Sequence, residues 1–300
     1  MDNLSLKMQI SMVQDKNCHL NDMEHDFMYH LGLEKARASH FSCIKFVCIG
    51  GTNDRMTKFA HQIASDLGLD DVEHIGCHKR YVIFKVGEVL IASHGMGGSS
   101  ISILLNELAK LLRYAQADSV WIRIGTCGGV GLEPGTVAIS EQSLNGQLQP
   151  GLRSYVLGKE VFRPATFDPE LCRQLLKVSE ELGFPTVVGK TMTADDFYEG
   201  QGRLDGAICD YSEKDKMDFL QRAHEAGVRN IEMESLTFGA FTRHIGIRAA
   251  TICAVLLNRL EGDQVLSTVE QLGQYEARAT AAVLALVRNS LLRPTATADI

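Results

Sequence analysis

The chain has 300 residues, of which 45% are hydrophobic and 22% charged, a composition typical of a soluble globular protein. Its net charge of −7 and its scattered lysines and arginines argue against a nucleic-acid-binding surface, where basic residues cluster. We find no signal-peptide layout and no apolar run long enough for a membrane span, so we predict no membrane association.

The cysteines indicate a reducing compartment. They stand at positions 18, 43, 48, 77, 127, 172, 209 and 253, and none form a Cys-x-x-Cys pair. Several lie in apolar, strand-like runs, as buried thiols do. We therefore predict free thiols and a cytoplasmic location, with a disulfide or redox switch as the alternative.

The domain organisation is simple. Residues 1–25 are mostly polar and begin with a Met-rich stretch without clear periodicity, and we predict a flexible N-terminal arm. No Pro-rich, Ser-rich or like-charged linker divides the rest, so we predict one domain over residues 26–293.

The first half of the chain alternates strands and helices. The apolar run at 43–51 ends in Gly-Gly and predicts a buried strand, and residues 55–69 predict a helix. "YVIFKVG" and "VLIASHGMGG" predict two strands that meet at a turn. Leucines and isoleucines at helical spacing predict a helix over 99–115, with Ser99 or Ser100 as its N-cap.

The second half continues the alternation. We predict strands at 119–129, 136–140 and 248–258, helices at 169–183, 213–227 and 267–292, and a segment at 231–246 that begins extended and becomes helical. Continuous apolar strands alternating with helices indicate the α/β class, with a sheet covered on both faces by helices.

Three predicted strands end in polar turns that contain glycine. These turns are "IGGTNDR" at 49–55, "SHGMGGSS" at 93–100 and "RIGTCGGVGLEPG" at 123–135. Ligands bind at the carboxyl ends of strands in such sheets, and backbone N–H groups in such turns can hold an anion. Arg55, Arg123 and the Thr126 hydroxyl would add hydrogen bonds to a phosphate. Each turn alone is weak evidence, but an arginine inside an apolar strand, as at 123, must be paired or bind a ligand.

The segment "IEMES" places Glu232 and Glu234 two residues apart. In an extended chain both carboxylates point the same way and could accept hydrogen bonds from neighbouring sugar hydroxyls. Met233 would face the other side unless the strand bends where the helix begins. Two alternatives stay open at this point: acidic residues that favour a helix N-terminus, and the carboxylate pair of a glycosidase.

The segment "FYEGQGRLDG" places Gln201 and Arg203 among glycines and after Phe197. An amide beside a guanidinium offers an acceptor and several donors, which suits the edge of a flat polar ring. The alternative is a polar surface turn.

Metal ligands are not predicted. His74 and His78 flank Cys77, and His25 and His30 are five residues apart, but neither group forms a four-ligand set of familiar spacing. His94 is interpreted as a packed histidine near the site.

Six segments occur in the order found in uridine phosphorylases, of the nucleoside phosphorylase superfamily. They are "GGTNDR", "SHGMGG", "RIGTCGGVGLEPGTV", "FYEGQGRLDG", "IEMES" and "LLNRLEGDQ", within residues 26–290. The chain resembles the animal-type members most. This resemblance implies a mixed central β-sheet, distorted and barrel-like, flanked by helices. It also implies reversible phosphorolysis of uridine to uracil and ribose 1-phosphate, with phosphate as co-substrate and no cofactor.

The resemblance also implies roles for individual residues. Phosphate would be held by Gly51, Arg55, Arg123 and Thr126, with Cys127 and Gly128 beside them. Ribose would be held by Met233 and Glu234, with Glu232 adjacent. Uracil would stack near Phe197 and be read by Gln201 and Arg203, with Arg259 supporting Arg203. Cys127 is a departure, because many relatives carry serine there.

The resemblance implies a homo-oligomer whose sites are shared. His30 would reach the ribose 5′-hydroxyl in the neighbouring subunit, and Arg80 would reach its phosphate. We expect a dimer, with a hexamer as the alternative.

Three alternatives remain beside uridine phosphorolysis. The first is a purine nucleoside phosphorylase, for which Asp195 or Asp196 could serve as the acid at the purine N7. The second is a nucleosidase, which would not need Arg55, Arg80 and Arg123. The third is a catalytically silent nucleoside-binding protein of the same fold. Deoxyuridine and thymidine are further candidate substrates.

Overall fold

The computed structural model describes residues 16–76 and 80–292. Its strands are β1 (Phe27–Met28), β2 (Leu33–Glu34), β3 (Phe46–Gly50), β4 (Glu73–Ile75), β5 (Ile83–Val86), β6 (Val89–Ser93), β7 (Val120–Gly129), β8 (Val137–Leu144), β9 (Gly151–Val156), β10 (Lys159–Pro164), β11 (Thr186–Thr193), β12 (Val228–Glu232) and β13 (Ala249–Asn258). Its α-helices are α1 (Asn53–Leu67), α2 (Gly98–Ala115), α3 (Pro169–Glu181), α4 (Glu213–Glu225), α5 (Ser235–His244) and α6 (Val269–Leu292). Short 3₁₀ helices cover Cys18–Leu20, Lys35–Phe41 and Glu199–Gln201.

The central sheet is mixed and closes on itself. Its strand order is β12-β11-β8-β13-β7-β3-β6-β5-β4, and β12 also pairs with β7. The strands β7, β13, β8, β11 and β12 therefore form a barrel, from which β3, β6, β5 and β4 extend. This confirms the α/β class and the barrel-like sheet. The alternation of elements alone indicated a sheet with two covered faces, and it did not show that the sheet closes.

The helices pack around this sheet because one stripe of each is apolar. On α2, residues at helical spacing such as Ile101, Leu104 and Leu108 are buried. The C-terminal helix α6 packs against α1, α3, β7 and β13. Trp121 and Phe46, on neighbouring strands, are fully buried in the main core.

Parallel pairing gathers several strand ends at one edge. β3 runs parallel to both β6 and β7, and β7 runs parallel to β13. The glycine-containing turns after β3 and β6 therefore meet beside the end of β7, as predicted.

Several details differ from the expectations, and the barrel strand β11 is among the elements that were not predicted. The N-cap of α2 is Gly97, not Ser99 or Ser100, and no side chain of its own caps it. The hairpin of β9 and β10 was not predicted, and it pairs with no other strand in the part of the chain that the structure describes. Its turn places Leu157 and Gly158 at positive φ, as two-residue hairpin turns require, but leucine is an uncommon residue there.

Candidate active site

One cavity of about 230 Å³ lies where these strand ends meet. It is lined by Gly51, Thr52, Arg55, Gly95, Met96, Arg123, Gly125, Thr126, Cys127, Gly128, Phe197, Gln201, Arg203, Ile231, Glu232, Met233, Glu234, Leu256, Leu257, Arg259 and Val265. Every predicted site residue is in this set except His30 and Arg80. The two candidate halves, around Arg123 and around Gln201, therefore share one cavity.

The turn after β3 supplies one side of the cavity. Thr52 is the N-cap of α1, and its hydroxyl accepts a hydrogen bond from the backbone N–H of Arg55 at 3.3 Å. The Arg55 guanidinium donates through Nε and Nη2 to Glu276 on α6, at 3.3 and 3.2 Å. A helix N-terminus and an arginine thus meet at the cavity wall, which favours an anion there.

Arg123 lies in β7 with only 2% of its residue surface exposed. Its Nη1 is 2.8 Å from Glu232, and its Nη2 pairs with Glu234. Burial alone would lower the pKa of Arg123, but the two carboxylates raise it above its usual value. Arg123 is therefore charged and held between two acids.

The two glutamates are held by the bend between β12 and α5. Glu232 accepts from the Thr193 hydroxyl at 2.6 Å and from the backbone N–H of Ser235. Glu234 accepts from the Gly97 N–H, at the start of α2, at 2.6 Å. Because the chain bends after Glu232, Met233 also lines the cavity. Burial raises the pKa of Glu234 above its usual value, and the neighbouring Glu232 adds to the rise.

The opposite end of the cavity is formed by the loop after β11. A 3₁₀ turn ends at Gln201, and Gly202 follows at φ +65°, a left-handed conformation that suits glycine. Gln201 and Arg203 on either side are 5% and 7% exposed. The segment lies at the surface, with Phe197 48% exposed, but it buries the two side chains that were predicted to read a ring, which argues against a merely polar surface turn.

Arg203 is fixed on three sides. Its guanidinium carbon lies 4.5 Å from the centre of the Phe197 ring. Its Nε and Nη2 donate to the two carboxylate oxygens of Asp205 at 2.8 and 2.6 Å, and Nη2 also donates to the backbone carbonyl of Asp263 at 2.8 Å. The hydrogen bond to Asp205 raises the pKa of Arg203, and the same bond lowers the pKa of Asp205.

Arg259 supports Gln201 directly, and its expected support of Arg203 stays a prediction. Its Nη2 donates to the Gln201 backbone carbonyl at 2.9 Å, and its Nη1 donates to the Gln201 side-chain oxygen at 3.3 Å. Its stem packs on Gly128, where an added Cβ would lie 2.9 Å from the Arg259 side chain. Only glycine fits at 128 without displacing Arg259.

Asp263 connects Arg203 with Arg259. Its carboxylate accepts from Arg259 at 3.0 Å, from the Leu204 N–H at 3.0 Å and from the Lys216 ammonium at 2.8 Å. Burial alone would raise the pKa of Asp263, but the bonds from Leu204 and Lys216 lower it below its usual value. Asp263 and Lys216 do not line the cavity. They position residues that do.

His94 is fully buried behind the cavity wall. Its Nδ1 lies 2.8 Å from the Gly95 carbonyl, and burial lowers its pKa well below the usual value, helped by Arg123. A neutral, packed histidine agrees with the sequence interpretation.

His30 and Arg80 lie outside the cavity wall. The Nδ1 of His30 is 2.6 Å from Glu107 on α2, and the ring is partly exposed. Arg80 is exposed. Their expected role in a neighbouring subunit stays a prediction.

Sequence reasoning missed the supporting residues Glu276, Asp205, Asp263 and Lys216. One signal was available, because Lys216, Leu220 and Ala223 share a helical face and are all buried on α4. A lysine on an apolar stripe has to meet a carboxylate.

The candidate metal ligands are not assembled. Among the residues described, no group of three or more His, Cys, Asp or Glu is placed to hold a metal ion. Cys77 and His78 lie outside those residues.

In the described parts of the chain, no helix is long and apolar enough to cross a bilayer.

Comparisons with known proteins agree with this geometry. The model of the phosphorylase superfamily matches residues 45–290. Uridine phosphorylase 1 of Mus musculus is 44% identical over 294 residues, which cover 94% of each chain. A uridine phosphorylase structure from the oomycete Phytophthora capsici matches with a TM-score of 0.90 and 44% identity, covering 94% of this chain and 99% of that one.

A third relative shows that similarity extends to proteins without activity. Inactive uridine phosphorylase B of Schistosoma mansoni is 39% identical over 268 residues, 87% of this chain and 90% of its own. Family membership and turnover are therefore separate questions. On the family model and these relatives, the chain belongs to the phosphorylase superfamily and, within it, to the uridine phosphorylases.

Proposed function

We propose that this chain catalyses the reversible phosphorolysis of uridine to uracil and ribose 1-phosphate. One observation carries the proposal: Gln201 and Arg203 are buried in the same cavity as Arg55 and Arg123. A pyrimidine edge and a phosphate can therefore be bound in the same cavity.

The base end matches the hydrogen-bonding edge of uracil. Uracil presents a carbonyl, an N–H and a second carbonyl in a row. The Gln201 amide can donate to one carbonyl and accept from the N–H, while Arg203 donates to the other carbonyl. In the described chain the Nη1 of Arg203 has no hydrogen-bond partner, so a donor is available for the base.

The leaving uracil gains negative charge on its oxygens as the glycosidic bond breaks. Donors aimed at those oxygens bind the transition state more tightly than the ground state, and one such donor contributes ~3–4 kcal/mol to barrier lowering. No separate acid for the base is then required. Asp195 and Asp196, the candidates for a purine N7 acid, do not line the cavity.

Phosphate attacks C1′ from the face opposite the base. We assign its binding to Gly51, Arg55, Arg123 and Thr126, with Cys127 and Gly128 adjacent, and ribose binding to Met233 and Glu234. Glu232 fixes Arg123 and the start of α5, so it acts through them. Phosphate is a co-substrate in this scheme, and we propose no cofactor.

We propose a dimer with shared sites, in which His30 and Arg80 complete the cavity of the neighbouring subunit. Support comes from their partly exposed or exposed positions.

Mixing inactive Arg80→Ala chains with inactive Arg123→Ala chains should restore activity, because one site in a mixed dimer then has both arginines. Verified mixed dimers with no recovered activity would contradict the shared site.

The seven cysteines that the structure describes are all free. Free thiols suit a reducing compartment, and we propose the cytoplasm.

A substrate comparison separates the alternatives. With phosphate, uridine should be cleaved at least 100-fold faster than inosine, since the Gln201 and Arg203 pair fits a pyrimidine edge. Preference for inosine would indicate a purine nucleoside phosphorylase. Uridine binding without turnover would indicate a silent homologue, as in the inactive Schistosoma mansoni relative.

A further inference from the structure

Cys127 and Cys253 are free, buried cysteines on the adjacent parallel strands β7 and β13. Cys253 is the register partner of Gly125, and Cys127 follows Gly125 by two residues. Partners across strands and residues two apart along a strand face the same side of a sheet, so both thiols point to one side. Both belong to one small buried cluster with Ala138 and Val255.

This pair of thiols borders the proposed active site. Cys127 lines the cavity itself. The Cys253 sulfur lies 3.7 Å from Nη1 of Arg123 and 2.9 Å from where a Cβ would stand on Gly125. Arg123 and Gly125 also line the cavity. A small molecule in the cavity therefore meets the Cys127 sulfur directly, whereas the Cys253 sulfur is fully buried beside Arg123, one of the lining residues.

The Cys127 thiol is a poor target for ordinary alkylation. Burial raises the pKa of Cys127 well above its usual value, and a hydrogen bond with Cys253 adds to the rise. Because the thiolate is the nucleophile, reagents that need it react slowly here. A reagent that removes the thiol protons itself does not meet this obstacle.

We propose that Cys127 and Cys253 form a dithiol site for trivalent arsenicals. An arsonous acid, RAs(OH)₂, exchanges both As–O bonds for As–S bonds to the two cysteines. Each thiol proton leaves with a hydroxide as water, so two waters are released and no oxidant is consumed. The ring that forms holds arsenic against the cavity wall and blocks it.

The register favours a bridging atom over a direct disulfide. Parallel strands lie ~4.8 Å apart and rise ~3.3 Å per residue, so residues two out of register on neighbouring strands are ~8 Å apart at Cα, whereas disulfides usually join Cα atoms ~4.4–6.8 Å apart. Arsenic between the sulfurs spans a wider gap than an S–S bond. Many relatives are expected to carry serine at position 127 and would lack this site.

The test is retention of phenylarsine oxide by the reduced, full-length protein, measured by intact mass. We expect one adduct per chain that survives a 2-mercaptoethanol wash and is removed by 2,3-dimercaptopropanol. Cys127→Ser and Cys253→Ala should each lower the retained adduct at least tenfold. The matched control is Cys172→Ala, which removes another buried thiol and should keep it.

Two further measurements keep the proposal testable if a variant misfolds. Peptide mapping of the wild-type adduct should find both Cys127 and Cys253, and uracil with phosphate should slow adduct formation at least tenfold. The proposal would be overturned if either cysteine variant retained the adduct, or if peptide mapping found other cysteines. It would also be overturned if filling the cavity left the rate of adduct formation unchanged. Adduct retention and peptide mapping use neither uridine turnover nor uracil binding, so their failure is distinct from failure of the proposed function.

Discussion

The two ends of the cavity hold their central arginines by different means. Arg123 belongs to a barrel strand, and its two carboxylate partners come from the junction of β12 and α5. Arg203 belongs to a loop, and it is held by Asp205 two residues away and by the backbone of Asp263 in a second loop. The proposed phosphate end is thus part of the fold, whereas the proposed base end depends on two loops meeting.

This difference predicts whether a substitution at each end of the cavity changes activity and stability together. A change at the phosphate end should lower both activity and stability, because it leaves buried charges unpaired in the barrel. A change at the base end should alter recognition of uridine with a smaller effect on folding.

The largest effect is expected for Arg123→Met. It removes a phosphate ligand and strands Glu232 and Glu234, which are buried. We expect kcat/KM for uridine to fall at least ~10³-fold and the free energy of unfolding to fall by ~3–5 kcal/mol. Steady-state assays and urea denaturation check this. Unchanged stability would show that the buried pairing does not hold this end together.

Gln201→Leu should nearly abolish uridine phosphorolysis while the protein still folds. An apolar residue leaves the uracil N–H and one carbonyl unpaired, at ~1–3 kcal/mol for each group, so a loss of about 100-fold or more is expected. The assay is uridine turnover alongside circular dichroism. Turnover close to wild type would refute the assignment of Gln201 to the base.

As the pH falls from neutral to acid, the two ends of the cavity should lose their ionic interactions at different pH values. The raised pKa of Glu234 means that its pairing with Arg123 is lost at a higher pH than an ordinary glutamate would give. The lowered pKa values of Asp205 and Asp263 stabilise the folded state above their unfolded value of about 3.9, and this is lost only as the pH falls through the lower folded values. We therefore expect kcat/KM to fall about tenfold per pH unit before circular dichroism changes. A fall in kcat/KM and a change in circular dichroism at the same pH would contradict this order.

Lys216→Met tests the support of the base end from outside the cavity. Loss of the ammonium leaves Asp263 less well held, and we expect a KM for uridine about fivefold higher, from a contact worth about 1 kcal/mol. The KM for phosphate should not change. Lys214→Met is the matched control, because the Lys214 side chain is 81% exposed and that of Lys216 is 5% exposed. Equal effects of the two changes would refute the role of Lys216.

Glu276→Ala should have the smallest effect and act only on phosphate. It frees Arg55 from its partner on α6, and we expect a KM for phosphate about threefold higher, as fits a half-exposed pair of under ~1 kcal/mol. Glu276→Gln should restore most of the affinity, since an acceptor remains, and Glu270→Ala on the same helix is the control. A rise in the KM for uridine as well would argue against a specific role.

The sequence predicted the residues that line the cavity better than the residues that hold them in place, for a physical reason. Arg55, Arg123 and Glu232 follow or lie in apolar strands, and parallel strands bring such ends together. Asp263 and Glu276 follow no such pattern, because a carboxylate in a loop or on a helix is ordinary until the partner is known. The closure of the barrel was indicated only by the family resemblance, since it depends on the pairing of β12 with β7, which has no local signal.

The most direct test of the account is uracil release from uridine by the purified protein, followed with and without phosphate. If the buried amide and guanidinium read the base while the arginines at the other end hold the attacking anion, release will require phosphate and match ribose 1-phosphate formation one for one. Uracil release at the same rate in phosphate-free buffer, with free ribose as the other product, would contradict it.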